Sequence, residues 1–160
     1  MKTAHIPNAH PFSEAGSNSP DLIVIHAMGE FIDTDDQDYP AWDFLSSLKL
    51  SAHAFVTPSG VVVRSKPDDR LAWHAKGFNT DSLGVEFLVP GLHTYETFLD
   101  TIKRPWLTDA QFEAGVKLVR SWREKWNISP AKVLRHSDIS PRRKHDPGDG
   151  FPWRRFINEL

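Results

Sequence analysis

Apolar and polar positions along the chain predict strands and helices in alternation. A wholly apolar, mostly β-branched run over 22–25 is typical of a strand buried on both faces, and it ends at His26. Residues 51–64 predict a β-hairpin, because two apolar segments flank the turn former Pro-Ser-Gly. Residues 82–88 predict another strand, and 132–136 a short one.

The clearest helical pattern begins at Thr108. Thr108 and Gln111 have the spacing of a capping box, and an apolar stripe follows to about Asn127. Shorter helices are predicted over 40–50 and 152–160. Interleaved strands and helices predict an α/β fold with helices packed on a sheet.

Three connecting regions are predicted to lack regular structure. Residues 1–20 are expected to form an extended N-terminal segment, with a loop rich in Pro, Ser, Asn and Gly over 7–20. An acidic loop is expected over 30–38. Residues 92–107 are interpreted as a loop particular to this protein, which could shape substrate choice.

Composition excludes several classes of protein. The 160 residues favour one domain spanning 1–160, with 39% hydrophobic and 25% charged residues. The absence of cysteine excludes disulfides, Cys-based zinc sites and a thiol nucleophile. A net charge of -2 gives no sign of nucleic-acid or membrane binding. No signal peptide or membrane span is evident, so we expect synthesis in the cytoplasm. We also expect the chain to be a monomer.

Two of the eight histidines, His26 and His136, follow apolar runs at predicted strand ends. A polar ring at the rim of a core needs a hydrogen bond or a metal. Two imidazoles and one carboxylate would make a zinc shell with an open position. Asp138 and Asp146 compete for the carboxylate role, and spacing alone leaves them level. A simple Asp-Pro-Gly turn is the plainer reading of Asp146.

Other charged residues admit more than one interpretation. Glu86 lies within an apolar strand and is either an outward-facing residue or the general base for a metal-activated water. The basic stretch 142–144 is a solvated turn, a nucleic-acid patch, or, at Lys144, an oxyanion partner.

Five segments, taken in order, resemble the zinc-dependent N-acetylmuramoyl-L-alanine amidases of the type-2 group, which share their fold with peptidoglycan recognition proteins. The match covers roughly 21–157. The segments are Ile-Val-Ile-His at 23–26, Ser-Ala-His-Ala-Phe-Val at 51–56, Ala-Trp-His-Ala-Lys-Gly at 72–77, Asn-Thr-Asp-Ser-Leu-Gly-Val-Glu at 79–86, and the stretch 135–148.

The resemblance implies a fold and a set of roles. The fold is a mixed central β-sheet in a single layer flanked by α-helices. One zinc ion per chain would be held by His26, His136 and Asp146, which settles the choice against Asp138. Glu86 would be the catalytic carboxylate and Lys144 the oxyanion partner. The substrate-binding positions implied are His53 and His74.

The implied reaction is hydrolysis of the amide between N-acetylmuramic acid and L-alanine in peptidoglycan or muropeptides. A single-domain phage-type endolysin that reaches the wall on host lysis is the first expectation. Some phage members have tyrosine at the position of Ala52 and a cysteine ligand, whereas Asp146 resembles the bacterial recycling pattern. A cytosolic recycling amidase for anhydro-muropeptides is therefore the second expectation. A peptidoglycan-binding module without catalysis, and a nucleic-acid binder, are the remaining alternatives.

Overall fold

Six strands form one mixed sheet in the computed structural model of the chain, which describes residues 2–5, 16–30 and 40–160. Their spatial order is β1-β4-β3-β5-β2-β6. Only β3 and β4 pair antiparallel, as the predicted hairpin, and the other neighbours are parallel. The strands are β1 (Lys2–His5), β2 (Leu22–Glu30), β3 (Ala54–Val56), β4 (Val61–Arg64), β5 (Ser82–Leu92) and β6 (Val133–Arg135).

Five α-helices accompany the sheet within the described residues, and a 3₁₀ turn at Pro130–Lys132 leads into β6. The capping box at Thr108 is confirmed, because the Thr108 side chain accepts from the Gln111 amide and the Gln111 side chain accepts from the Thr108 amide. The helices are α1 (Pro40–Ser47), α2 (Tyr95–Thr101), α3 (Asp109–Trp126), α4 (His136–Ile139) and α5 (Trp153–Asn158). None of these helices combines the length and apolarity that a membrane span requires.

Two expectations about these elements were wrong. The loop expected over 92–107 contains helix α2, which Thr94 begins with a capping box of its own. Strand β2 does not end at His26 but continues to Glu30, so His26 lies within the strand. Of the loops expected over 7–20 and 30–38, residues 7–15 and 31–38 lie outside the described residues, and Glu30 ends β2.

The two faces of the sheet have different partners. Ile23, Ile25, Val85 and Phe87 point toward α3 and belong to the main apolar core. Because side chains alternate along a strand, the residues between them point to the other face. That second face carries His26 of β2 and Ser82 and Glu86 of β5, and the candidate site is built there.

His53 joins the loop before β3 to strand β5 by a hydrogen bond. Its ring has 0% exposure; Nδ1 accepts from the Gly84 amide at 3.0 Å and Nε2 donates to the Arg70 carbonyl at 2.9 Å. Only the neutral ring can make both bonds. Burial lowers the pKa of His53 to about 4, against the weaker effect of the Arg70 hydrogen bond. The ring therefore stabilises the fold only while it is uncharged.

Acid should destabilise the protein through His53. The unfolded chain takes up this proton near pH 6.5 and the folded chain only near 4, so the stabilisation is complete above pH 6.5 and falls as pH drops toward 4. The loss for this one group is about 3 kcal/mol. Urea unfolding across pH 4–7, with chelator present, should show a shallower loss of unfolding free energy in His53→Gln than in the parent. Parallel pH profiles would contradict this role.

Candidate metal centre and active site

Four side chains from distant parts of the chain converge on the second face of the sheet. His26 lies on β2 and Glu86 on β5, and the two residues are paired in the parallel register of these strands. His136 begins α4 directly after β6, and Asp146 lies in the loop beyond α4. An amide-to-carbonyl bond from Ser137 to Asp146, 2.9 Å long, holds that loop against the start of α4.

Three of these side chains offer donor atoms to one point. His26 Nδ1 and His136 Nδ1 are 2.9 Å apart, and Asp146 Oδ2 lies 3.3 Å from the first and 2.9 Å from the second. All three residues are buried. They form the one group of His, Asp and Glu side chains in the described part of the chain that could hold a metal ion.

The donor set fits zinc. Tetrahedral zinc with bonds of about 2.0–2.1 Å keeps its ligand atoms about 3.3 Å apart, and the three observed separations lie within a few tenths of an ångström of that spacing. Two nitrogens and one carboxylate oxygen leave a fourth position open, as catalytic zinc requires. Asp138 is not part of the group, because its carboxylate is half exposed and pairs with Arg135 at 2.9 Å.

Burial and neighbouring charges favour a neutral imidazole at His26 and an ionised carboxylate at Asp146, which are the forms that bind a metal. Desolvation lowers the pKa of His26 to about 4, although the adjacent Asp146 carboxylate opposes it. Burial alone would raise the pKa of Asp146, but the adjacent His136 and His26 rings outweigh it, and the pKa falls well below its ordinary value. Near pH 7 the site therefore presents a neutral His26 imidazole and an ionised carboxylate.

Glu86 differs from Asp146 in the direction of its pKa shift. It is 7% exposed, and its Oε1 lies 3.9 Å from His26 Nδ1. Desolvation, then the nearby Asp146 charge, raise the pKa of Glu86 well above its ordinary value, and Lys144 partly offsets this. Lys144 lines the same cleft. Two neighbouring carboxylates with pKa values pushed apart are suited to different roles.

His74 lies beside the cluster and contacts one of its members. Its Nδ1 is 3.0 Å from His26 Nε2, and its Nε2 is 3.0 Å from Ser82 Oγ. Desolvation, followed by the neighbouring histidines, lowers the pKa of His74 well below its usual value. Asn79 fixes the backbone at this position, because its Oδ1 accepts from the amides of His74 and Ala75.

Sequence reasoning missed two residues that shape this region. Ser82 bonds the His74 ring, and Gly84 leaves room for it, since a Cβ at Gly84 would come within 2.5 Å of the ring. The available signal was the alternation Ser82, Gly84, Glu86, which places small or polar residues on one face of a buried strand. His53, expected to contact substrate, has no exposed surface, whereas His74 does line the cleft.

An open cleft of about 360 Å³ leads to the cluster. One wall comes from α1 and the loops near it, and the other comes from α2. The apolar side chains of the two walls are Phe44, Leu45, Leu48, Leu50 and Trp73 on the first and Tyr95, Phe98 and Leu99 on the second. Several of these are exposed large hydrophobics, so the cleft offers apolar contacts on both sides of the polar floor.

Comparisons with known proteins identify the family of this chain. The profile of the Amidase_2 family, described as N-acetylmuramoyl-L-alanine amidase, matches residues 16–149. A curated relative, the 1,6-anhydro-N-acetylmuramyl-L-alanine amidase AmpD of Enterobacter cloacae, is 31% identical over 95% of this chain and 87% of its own length.

Solved structures with the same fold include two amidases. N-acetylmuramoyl-L-alanine amidase LysC from Clostridium intestinale superimposes with a TM-score of 0.75 at 20% identity, over 100% of this chain and 97% of LysC. The E. coli amidase AmiD, in complex with an anhydro-N-acetylmuramic acid peptide, gives a TM-score of 0.69 at 26% identity, over 91% of this chain and 59% of AmiD. The resemblance found in the sequence and the predicted fold class are confirmed, and the chain belongs to the N-acetylmuramoyl-L-alanine amidase family of enzymes.

Proposed function

We propose that this chain is a zinc-dependent amidase that hydrolyses the bond between the lactyl group of N-acetylmuramic acid and L-alanine of the stem peptide. The observation that carries the proposal is the convergence of His26 Nδ1, His136 Nδ1 and Asp146 Oδ2 beside the buried carboxylate of Glu86. When bound, zinc supplies a Lewis acid that polarises a carbonyl and makes water a nucleophile near neutral pH.

The remaining chemistry is assigned to Glu86 and Lys144. Glu86, with its raised pKa, accepts the proton of the attacking water and then returns it to the leaving amine of L-alanine. The Lys144 ammonium stabilises the negative charge that develops on the carbonyl oxygen. The apolar walls of the cleft orient the substrate and keep bulk water away from these charges.

The sequence relatives favour recycling over lysis as the biological role. The curated relative at 31% identity is named for the 1,6-anhydro form of the muropeptide, and the alignment covers most of both chains. LysC supports the fold alone, because it is 20% identical. We therefore propose soluble anhydro-muropeptides as the preferred substrate, with the endolysin role as the competing outcome.

Replacing Glu86 by Gln should abolish turnover and leave zinc binding intact. The substitution removes the proton acceptor without changing the size of the side chain, and we expect kcat to fall at least about 100-fold. Zinc content by atomic absorption and amide cleavage by chromatography should be measured on the same preparation. Glu113→Gln, an exposed position on α3, is the matched control. A variant at Glu86 that holds zinc and cleaves at the parental rate would disprove the assigned base.

Removing the Asp146 carboxylate should release zinc, and removing that of Asp138 should not. Asp146→Ala deletes a buried donor of the cluster, whereas Asp138→Ala deletes a half-exposed partner of Arg135. After dialysis against a weak chelator, parent and Asp138→Ala should retain about one zinc per chain and Asp146→Ala close to none. Equal zinc content in the two variants would exclude Asp146 as a ligand.

Substrate form can be tested by product analysis. Intact sacculi and soluble anhydro-muropeptides are digested separately, and released stem peptides are quantified by mass spectrometry. The recycling proposal predicts a higher kcat/KM for the soluble anhydro form. Preferential release of peptides from sacculi would instead assign the endolysin role.

A further inference from the structure

A hydrogen-bonded chain runs from a backbone carbonyl to the first ligand of the metal cluster. It links the Phe78 carbonyl to Ser82 Oγ at 2.5 Å, Ser82 Oγ to His74 Nε2 at 3.0 Å, and His74 Nδ1 to His26 Nε2 at 3.0 Å. The far nitrogen of His26, Nδ1, is the atom that faces Asp146 and His136.

The carbonyl at one end fixes the direction of every proton in this chain. A carbonyl only accepts, so the Ser82 hydroxyl donates to Phe78 and its oxygen accepts from His74 Nε2–H. A neutral imidazole has one N–H, so His74 Nδ1 holds a lone pair and accepts from His26 Nε2–H. His26 Nδ1 is then left with its lone pair directed at the cluster.

We propose that His74 is a positioning residue for the metal centre, which fixes His26 in the tautomer whose Nδ1 lone pair faces the metal. The inference rests on the proposed zinc role of His26. Metal-ligating histidines usually donate their second N–H to a carboxylate, a carbonyl or water. Here a second histidine, itself oriented by Ser82, takes that place.

The strand that carries Glu86 is built to hold this second ring. Ser82, Gly84 and Glu86 alternate on one face of β5. Ser82 supplies the acceptor for His74, and the missing side chain of Gly84 makes room for the ring, which a Cβ would meet at 2.5 Å. His136 has no equivalent support within the described residues, because its buried Nε2 lacks a protein partner. Of these two histidines, only His26 is therefore held in its orientation by a hydrogen bond to its second nitrogen.

Zinc affinity measures this role directly. His74→Ala should weaken zinc binding about 10- to 100-fold, determined by chelator competition. His74→Asn should restore much of the affinity, because its Oδ1 can occupy the place of Nδ1 and accept from His26, whereas His74→Gln places its amide near Nε2 and should not. Ser82→Ala should weaken binding less than His74→Ala. The matched controls are His93→Ala and Ser121→Ala, which remove hydrogen bonds to carbonyls away from the cleft and should leave affinity unchanged.

The tautomer itself gives a second readout. Long-range ¹H–¹⁵N spectra of the zinc-free parent at neutral pH should show His26 protonated at Nε2, and His74→Ala should lose this preference. Thermal unfolding in chelator identifies any variant that fails to fold. A loss of affinity smaller than about threefold in folded His74→Ala, or His26 protonated at Nδ1 in the parent, would overturn the proposal. Failure of the parent to cleave its substrate while it binds zinc would instead count against the proposed function alone.

Discussion

The parallel pairing of β2 with β5 is the constraint on which the site depends. The register places His26 opposite Glu86, and alternation sends both side chains to the face away from α3. Since β5 is buried on both faces through most of its length, the polar groups on this face have little access to water. Pairing with another polar group is favoured here, because an unpaired buried polar group costs about 1–3 kcal/mol, and His136 Nε2 is an exception.

This preference explains why the polar residues occur as a connected set. His26, His136 and Asp146 satisfy one another, and His74 and Ser82 extend the network to the backbone. The same low-polarity surroundings lower the pKa of His26 and raise that of Glu86. Burial thus favours a neutral imidazole at His26 and raises the proton affinity of the Glu86 carboxylate, and the Asp146 charge adds to the second effect.

The fold class and the cluster could be predicted from the sequence, whereas helix α2 and the residues that hold the cluster in place could not. The hairpin, the capped helix α3 and the donors His26, His136 and Asp146 follow from local patterns and from the order of family segments. Helix α2 was missed because its capping Thr94 follows a Pro-Gly pair that is typical of loops. The roles of Ser82 and Gly84 depend on where the His74 ring packs, which is a tertiary relation that no local pattern encodes. His53 was placed near substrate by its segment, whereas its burial depends on contacts with Gly84 and Arg70.

The distribution of the cluster along the chain has a consequence for biosynthesis. His26 belongs to the first long strand, whereas His136 and Asp146 lie 110 and 120 residues later. During translation the early strand emerges with its histidine unmatched, and a metal-binding set exists only after β6 and the following loop have been made and docked. Under the proposed function, a ribosome-bound chain hydrolyses no amides until nearly all of these residues have emerged, and metal loading would report on completed folding of the sheet.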